Sequence, residues 1–125
     1  MYKCEIVIDD VLHLVRVKVS GELGTVAGGE IIRNARLASL EHKYNILYDM
    51  QDSILDATVT DFYQLARNRE IFDDPEMVAT RVGILAPAGG KANYKFYETT
   101  ARNMGLQVKV ATDEQELLNW LAAEE

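Results

Sequence analysis

The segment VGILAPAGGKANYKFYETTARNMGLQVKV, residues Val82–Val110, runs from an apolar stretch through a helical stretch into a second apolar stretch. Pro87 ends the first apolar stretch. Gly105 suits the end of the helix, because glycine adopts the left-handed backbone of a helix C-terminus without strain. A strand, a helix and a strand in this order favour a right-handed crossover between parallel strands. The segment therefore predicts an α/β protein.

The helix within this segment has an apolar repeat at every fourth residue, which predicts one buried face. That face comprises Ala92, Phe96, Thr100 and Met104, with Asn93, Tyr97 and Ala101 beside it. Tyr94 and Lys95 are then expected on the solvated face.

The N-terminal residues predict a β-hairpin. Tyr2 to Ile8 alternate in polarity, Asp9-Asp10 is a turn signal, and a second strand over Val11–Val19 ends at Ser20-Gly21. A helix over Thr25–His42 and a central strand over Tyr44–Tyr48 are predicted next. They are followed by an Asp-rich loop over Met50–Ala57 and a helix from Thr58 or Thr60 to about Ile71. The remaining elements are a strand over Val78–Ala86 and a final helix capped by Thr112. In the final helix Leu117, Leu118 and Leu121 are expected to face inward.

This order predicts a five-stranded mixed sheet, with an antiparallel N-terminal hairpin followed by largely parallel strands and about four flanking helices. The 125 residues are expected to form a single domain, 1–125.

Composition narrows the classes of partner. The chain has 13 Lys and Arg against 20 Asp and Glu, a net charge of −7, which disfavours contact with nucleic acid. No apolar run approaches the roughly 20 residues that a membrane span needs. A single cysteine cannot form an internal disulfide and fits a reducing compartment. We therefore expect a cytoplasmic protein without nucleic-acid or membrane partners.

Residues that could carry chemistry do not form a recognisable set. Cys4 lies in the first strand and is expected to be an inert core residue. His13 and His42 have no carboxylate or thiol at a metal-ligand spacing. Gly89-Gly90-Lys91 lacks the first glycine and the hydroxyl of a P-loop. The sequence thus predicts no catalytic residue, no metal, no cofactor and no enzyme activity.

Ligands of open α/β sheets favour the carboxyl ends of the strands. Here those ends are Asp49–Ser53, Pro87–Lys91 and Ala111-Thr112. A phosphoacceptor role for Asp49, as in receiver domains, is disfavoured because Asp9-Asp10 leads into a strand and not into a helix. We interpret Asp49 instead as a residue that caps a loop or accepts local backbone N–H groups.

The helix over Thr25–His42 has a second apolar stripe opposite Ile31, formed by Val26, Leu37 and Leu40. This stripe either packs against a neighbouring helix or forms a contact with a partner. In the second case it predicts self-association as a homodimer.

Four segments together resemble the SpoIIAA-like, STAS-type small domains found mainly in bacteria: Leu14–Leu23, Ile46–Asp52, Val82–Pro87 and the strand and helix from Val108 to Leu121. The resemblance implies a mixed sheet flanked by four helices and a mostly non-enzymatic role. The best-understood members of that family antagonise anti-sigma factors. They bind a partner protein and are switched by phosphorylation at the start of their second helix, whereas related lipid-transfer folds bind an apolar ligand.

The family's switch lies in an Asp-Ser-[Ser/Thr]-Gly run, and LDATVT over Leu55–Thr60 does not match that run. Thr58 is the nearest hydroxyl and Asp56 the nearest acid. Thr58 and Ser53 are therefore candidates for phosphorylation, with simple N-capping as the alternative.

The resemblance predicts a non-catalytic regulatory or protein-interaction domain whose protein partner is unknown. The predicted partner or ligand surface comprises Asp49, Asp52, Ser53, Asp56, Thr58 and Pro87. The alternative is a binder of a small apolar or anionic ligand in a crevice at the carboxyl ends of the strands.

Overall fold

The computed structural model describes residues 2–55, 79–89 and 91–122. Its strands are β1 (Tyr2–Asp9), β2 (Leu14–Leu23), β3 (Asn45–Leu55), β4 (Arg81–Leu85) and β5 (Gln107–Ala111). Its helices are α1 (Thr25–His42), α2 (Lys91–Asn103) and α3 (Glu114–Ala122).

The strands form one five-stranded sheet in the order β1-β2-β3-β4-β5. β1 and β2 are antiparallel, and every later pair is parallel. The predicted mixed α/β sheet is therefore confirmed. Three of the roughly four predicted helices are in the described residues, and the predicted helix from Thr58 or Thr60 to Ile71 lies outside them.

The hairpin turn is longer than predicted, because β2 begins at Leu14 and not at Val11. The Asp9 carboxylate accepts the backbone N–H groups of Val11 and Leu12 through Oδ1, at 3.1 and 2.9 Å. An Asp side chain that bonds the next few amides forms a turn in place of a strand ladder. Val11 is consequently exposed at the hairpin tip.

The predicted end of β2 at Ser20-Gly21 is wrong, since the strand continues to Leu23. Gly21 has a φ of 88°, which glycine adopts without strain. It remains in the sheet because it pairs with Tyr2 on β1 and with Ser53 on β3.

Two further boundaries differ from the sequence interpretation. β3 continues to Leu55, where a loop from Met50 was expected. β4 is shorter than expected, since it begins at Arg81.

The core has one layer on each face of the sheet. The larger layer joins α1 and α2 to the strands and includes Val15, Val17, Ile31, Ala35, Ile46, Tyr48, Val82, Tyr97, Ala101 and Val108. The smaller layer lies under α3 and contains Leu14, Leu47, Leu85, Ala111, Leu117 and Leu121. Gly83 lets α3 approach closely, because a Cβ there would lie 3.2 Å from Leu121 Cδ1.

α2 buries a different face from the one predicted. Tyr94 is 6% exposed, whereas Phe96 is 37% exposed and Met104 is also at the surface. Tyr97 and Ala101 are buried, as the neighbours of the predicted face. The buried side of α2 differs from the predicted one because the helix contacts both a face of the sheet and the outer side of β5.

The outer side of β5 is bonded by two side chains of α2. The buried Glu98 carboxylate accepts the backbone N–H of Val110 through Oε2. Arg102 donates from Nε to the backbone carbonyl of Val108 at 2.7 Å. α2 therefore supplies polar partners to this edge of the sheet.

α3 agrees with the predicted inward residues. Leu117 and Leu121 are buried, and Leu118 packs beside them. The cap differs, however, because Asp113 and not Thr112 accepts the N–H of Gln115, at 3.0 Å.

Candidate functional site

The carboxyl ends of β3 and β4 bring together part of the predicted surface. Asp49 pairs with Leu85, the last residue of β4, and Pro87 follows two residues later. β3 continues past this level and pairs there with β2 up to Leu55. Asp49, Asp52 and Ser53 thus lie along β3 at and beyond this level, whereas Pro87 lies after the end of β4.

A β-bulge marks the start of the extension. Lys18 pairs with Asp49 but Ser20 pairs with Asp52, so that β3 has one more residue than β2 between these positions. Asp49 Oδ1 accepts the N–H of Gln51 at 3.1 Å and stabilises the bulge. This is the local backbone role that the sequence predicted for Asp49.

Ser53 lies just beyond the bulge and bonds back to it. Its buried hydroxyl donates to the carbonyl of Met50 at 2.7 Å. Burial raises the pKa of the neighbouring Tyr94, and a hydrogen bond with Ser53 opposes that shift. Phosphorylation at Ser53 would have to break its bond to Met50 and expose the hydroxyl.

Asp56 and Thr58 lie outside the described residues, so the phosphorylation of Thr58 remains a prediction.

The solvated side of the β3 extension has several acidic side chains and one exposed apolar side chain. Residues that pair directly across two strands share a face of the sheet. The pairs here are Lys18 with Asp49, Ser20 with Asp52, and Glu22 with Ile54. Ile54 is 67% exposed. We call the five residues Lys18, Glu22, Asp49, Asp52 and Ile54 the carboxyl-end patch.

Three residues of this patch, Lys18, Glu22 and Ile54, were not predicted from the sequence. Residues 50 to 57 were interpreted as a loop, and alternation in polarity has no structural meaning in a loop. The polarity of these residues gives no signal for the strand, because polar Ser53 is buried while apolar Ile54 is exposed.

Two buried phenols lie between α1, α2 and β3. Burial raises the pKa of both Tyr48 and Tyr97, and the nearby Arg36 guanidinium opposes the shift in each case. Both phenols therefore stay protonated at neutral pH and cannot serve as general bases there.

The single thiol is not activated. Cys4 is half-buried, and burial together with the charge of Glu5 raises its pKa. A thiol of raised pKa carries little thiolate at neutral pH and is a weak nucleophile. Within the described segments, no group of three or more His, Cys, Asp or Glu side chains could ligate a metal ion.

The two histidines pack against one tyrosine at the amino ends of the strands. The rings of His13 and His42 stack on Tyr44, with centroid distances of 5.0 and 5.5 Å. The Tyr44 hydroxyl donates to Asp10 at 2.8 Å, and this bond raises the pKa of Tyr44. These side chains brace the hairpin tip against the end of α1.

A groove of about 280 Å³ opens beside Tyr44. It is lined by Ser39, Leu40, Lys43, Tyr44, Asn45, Ala79 and Thr80. It lies at the amino ends of β3 and β4, whereas the sequence predicted a crevice at the carboxyl ends.

The outer stripe of α1 is at the surface. Val26 and Leu37 are exposed, while Leu40 is half-buried and lines the groove. Self-association through these residues remains a prediction.

No family model matches the sequence, and no curated protein matches it significantly. Within the described segments, no helix combines the length and the apolar character needed to cross a bilayer.

Two solved structures are similar to this chain over nearly its whole length. One is an uncharacterised protein of the DUF3478 family with a SpoIIAA-like fold, from Shewanella loihica PV-4. It has a TM-score of 0.52 and 17% identity, and the match covers 96% of this chain and 93% of that one. The other is the anti-sigma factor antagonist SpoIIAA in its unphosphorylated form. It has a TM-score of 0.53 and 20% identity, covering 99% and 100%. With the sheet order and helix placement described above, these matches show that the chain has a SpoIIAA-like fold.

Proposed function

We propose that this chain is a non-catalytic regulatory domain that binds a protein partner through the carboxyl-end patch. The observation that carries the proposal is the 67% exposure of Ile54, which lies opposite Glu22 and two residues after Asp52 on the extension of β3. One of the two similar solved structures is an anti-sigma factor antagonist, which supports a regulatory role by analogy. A cytoplasmic location is part of the same proposal.

The chemistry of the patch defines the partner. Covering Ile54 would contribute about 1 to 2 kcal/mol, given its present exposure. Glu22 lies opposite Ile54, and Asp52 and Asp49 precede it along β3, so that the patch has three carboxylates against the one ammonium of Lys18. Acidic groups at the rim of a contact steer partners of opposite charge and exclude others. The partner is therefore expected to present basic residues around an apolar pocket.

Regulation would act on the residues that follow β3 in the sequence. Thr58 and Asp56 follow β3 closely in the sequence. A phosphate at Thr58 would add about 1.5 to 2 negative charges to the segment that follows this acidic strand in the sequence. We propose that this modification strengthens the binding of a basic partner.

The test compares two double variants that change the same kinds of residue. Ile54→Ser with Asp52→Lys alters the patch, and Val11→Ser with Glu41→Lys makes equivalent changes elsewhere on the surface. Proteins that co-purify from a lysate are identified and quantified, and the most enriched one is then titrated in purified form. We expect at least tenfold weaker binding to the patch variant and unchanged binding to the control. Equal affinities for both variants would disprove the proposed surface.

A second candidate function is supported by the groove at the amino ends of the strands. Leu40 and Lys43 give it both an apolar wall and a cation, which suits the small apolar or anionic ligand predicted as the alternative. Native mass spectrometry of the purified protein would detect a bound mass. The filling variant Leu40→Trp should lose that mass, and a spectrum of the bare chain would argue against this function.

A further inference from the structure

β1 is an edge strand of the sheet. In the part of the chain that the structure describes, it pairs with β2 on one side and has no strand on its other side. It is eight residues long and contains no proline. Each exposed edge presents unpaired N–H and C=O groups to which another strand can bond.

The side chains of β1 are apolar at its middle on both faces of the sheet. Ile6 is 37% exposed and Val7 is 54% exposed. Neighbouring residues of a strand point to opposite faces, so that these two side chains flank the edge from both sides. Lys3 and Glu5 are also exposed, and they give the strand one charge of each sign.

We propose that β1 pairs antiparallel with β1 of a second copy of this chain, about a two-fold axis at Ile6. In this register Ile6 lies opposite its own counterpart, and Val7 lies opposite Glu5 of the other copy. Lys3 lies opposite Asp9 of the other copy, so that two pairs of opposite charge close the contact at its ends. The pairing would extend from Lys3 to Asp9 on both copies.

Charge and length select this register from its neighbours. An axis at Glu5 would place two glutamates directly opposite each other, which is destabilising. An axis at Val7 would place Glu5 opposite Asp9 of the other copy, and these are again two acids. An axis at Cys4 would leave Val7 uncovered and would pair a shorter stretch, Tyr2 to Ile6. Only the axis at Ile6 pairs Lys3 with Asp9 and covers both exposed apolar residues.

The Asp9 carboxylate is accessible enough to contact Lys3 of the second copy. It already accepts a hydrogen bond from Arg16 Nε through Oδ2, at 3.0 Å, and its side chain is 22% exposed. Lys3 of the second copy would add a second cation to the same carboxylate. The net charge of −7 on each copy opposes association at low salt, but at about 0.15 M salt the Debye length is about 8 Å and this repulsion is largely screened.

The first experiment measures the oligomeric state. Sedimentation velocity at physiological salt, from micromolar to millimolar protein, should show a monomer–dimer equilibrium. Ile6→Lys places two ammonium groups at the axis and should weaken the dimer at least tenfold. Val11→Lys makes the same change in charge at the exposed hairpin tip and should have no effect. Circular dichroism of both variants confirms that the monomer is folded.

The second experiment tests the register. In the double variant Cys4→Ala with Ile6→Cys, the two thiols face each other across the axis. Directly opposed residues of antiparallel strands have Cα atoms about 4.5 to 5.5 Å apart, within the range that a disulfide spans. Mild oxidation should convert this variant to a linked dimer, whereas wild-type Cys4 faces Ile8 and should not link.

Three outcomes would overturn the proposal. A wild-type chain that stays monomeric over the whole concentration range excludes the contact. A dimer that survives Ile6→Lys and is lost in Leu37→Glu would place the contact on α1. Efficient linking through wild-type Cys4 but not through Cys at position 6 would refute the proposed axis. None of these outcomes bears on the carboxyl-end patch, which is tested separately.

Discussion

The two edge strands of the sheet differ in whether side chains bond to the backbone of their outer side. On the outer side of β5, Glu98 and Arg102 bond to the N–H of Val110 and the carbonyl of Val108. On the outer side of β1, no described residue plays this role. The comparison shows that side chains of a helix can satisfy an edge strand, and that an edge without such a helix stays available for pairing.

The order of elements explains the difference. α2 is the crossover between β4 and β5, so that it must pack beside the strand to which it leads. β1 is joined to β2 by the turn over residues 10–13, and this connection contains no helix that could bond to the outer side of β1. The asymmetry of the edges therefore follows from the connections and not from the composition of the strands.

The largest expected effect comes from removing the bond to Val110. Glu98→Ala leaves a buried N–H without an acceptor and should lower the free energy of unfolding by about 2 kcal/mol. Glu98→Gln keeps an acceptor oxygen and should cost about half as much. Urea unfolding measures both variants. Equal stability of Glu98→Ala and the wild type would mean that this carboxylate does not support the β5 edge.

A smaller effect is expected for the second bond on the same edge. Arg102→Met keeps most of the aliphatic side chain but removes the donor to Val108, and should cost about 1 kcal/mol. Arg102→Lys retains a donor, and its stability should lie between those of the wild type and Arg102→Met. The order of the three unfolding midpoints is the measurement. A Met variant as stable as the wild type would contradict a role for this hydrogen bond.

At the β1 edge the expected effect depends on pH. The N–H of Leu12, and then Arg16, hold the pKa of Asp9 below its usual value. Its stabilising contribution is therefore complete above the unfolded pKa, near 3.9, and is lost as the pH falls through the lower folded pKa. The stability difference between wild type and Asp9→Asn should shrink as the pH is lowered from about 5.

A background variant isolates the cause of this pH dependence. In Arg16→Gln, the change Asp9→Asn should show a weaker dependence on pH, because the charged partner is already absent. The urea midpoint at a series of pH values checks this. A dependence as steep as in the wild type would assign it to another group.

The smallest effect is expected for the exposed middle of β1. Val7→Thr keeps a β-branched side chain and should change the unfolding free energy of the monomer by less than about 0.5 kcal/mol. The same substitution at buried Val108 is the control, and should cost about 2 kcal/mol because its hydroxyl enters an apolar core. Similar losses at both positions would mean that β1 is not an open edge.

Local patterns predicted most of the architecture. The hairpin, the span of α1 and the inward residues of α3 all follow from periodicity within one element. The buried face of α2 could not be predicted in this way, because that helix contacts two surfaces, and its apolar residues are spread too widely to indicate which of them are covered.

The candidate site was predicted less completely. Asp49 was interpreted correctly as an acceptor of a local N–H group. The patch around Ile54 was missed, because it exists only if β3 continues beyond Asp49, and the bulge that allows this continuation depends on pairing with β2. A bulge is a relation between two strands, and neither strand encodes it alone.

By itself, the sequence determined that this is an acidic α/β protein with an N-terminal hairpin and crossover helices, because charge, polarity and periodicity are properties of short stretches of chain. Only the tertiary structure decided which side of α2 is buried, where β3 ends and which edge of the sheet is closed. Those features depend on contacts between residues far apart in the chain, and the free energy of such contacts is set by the partner as much as by the residue itself.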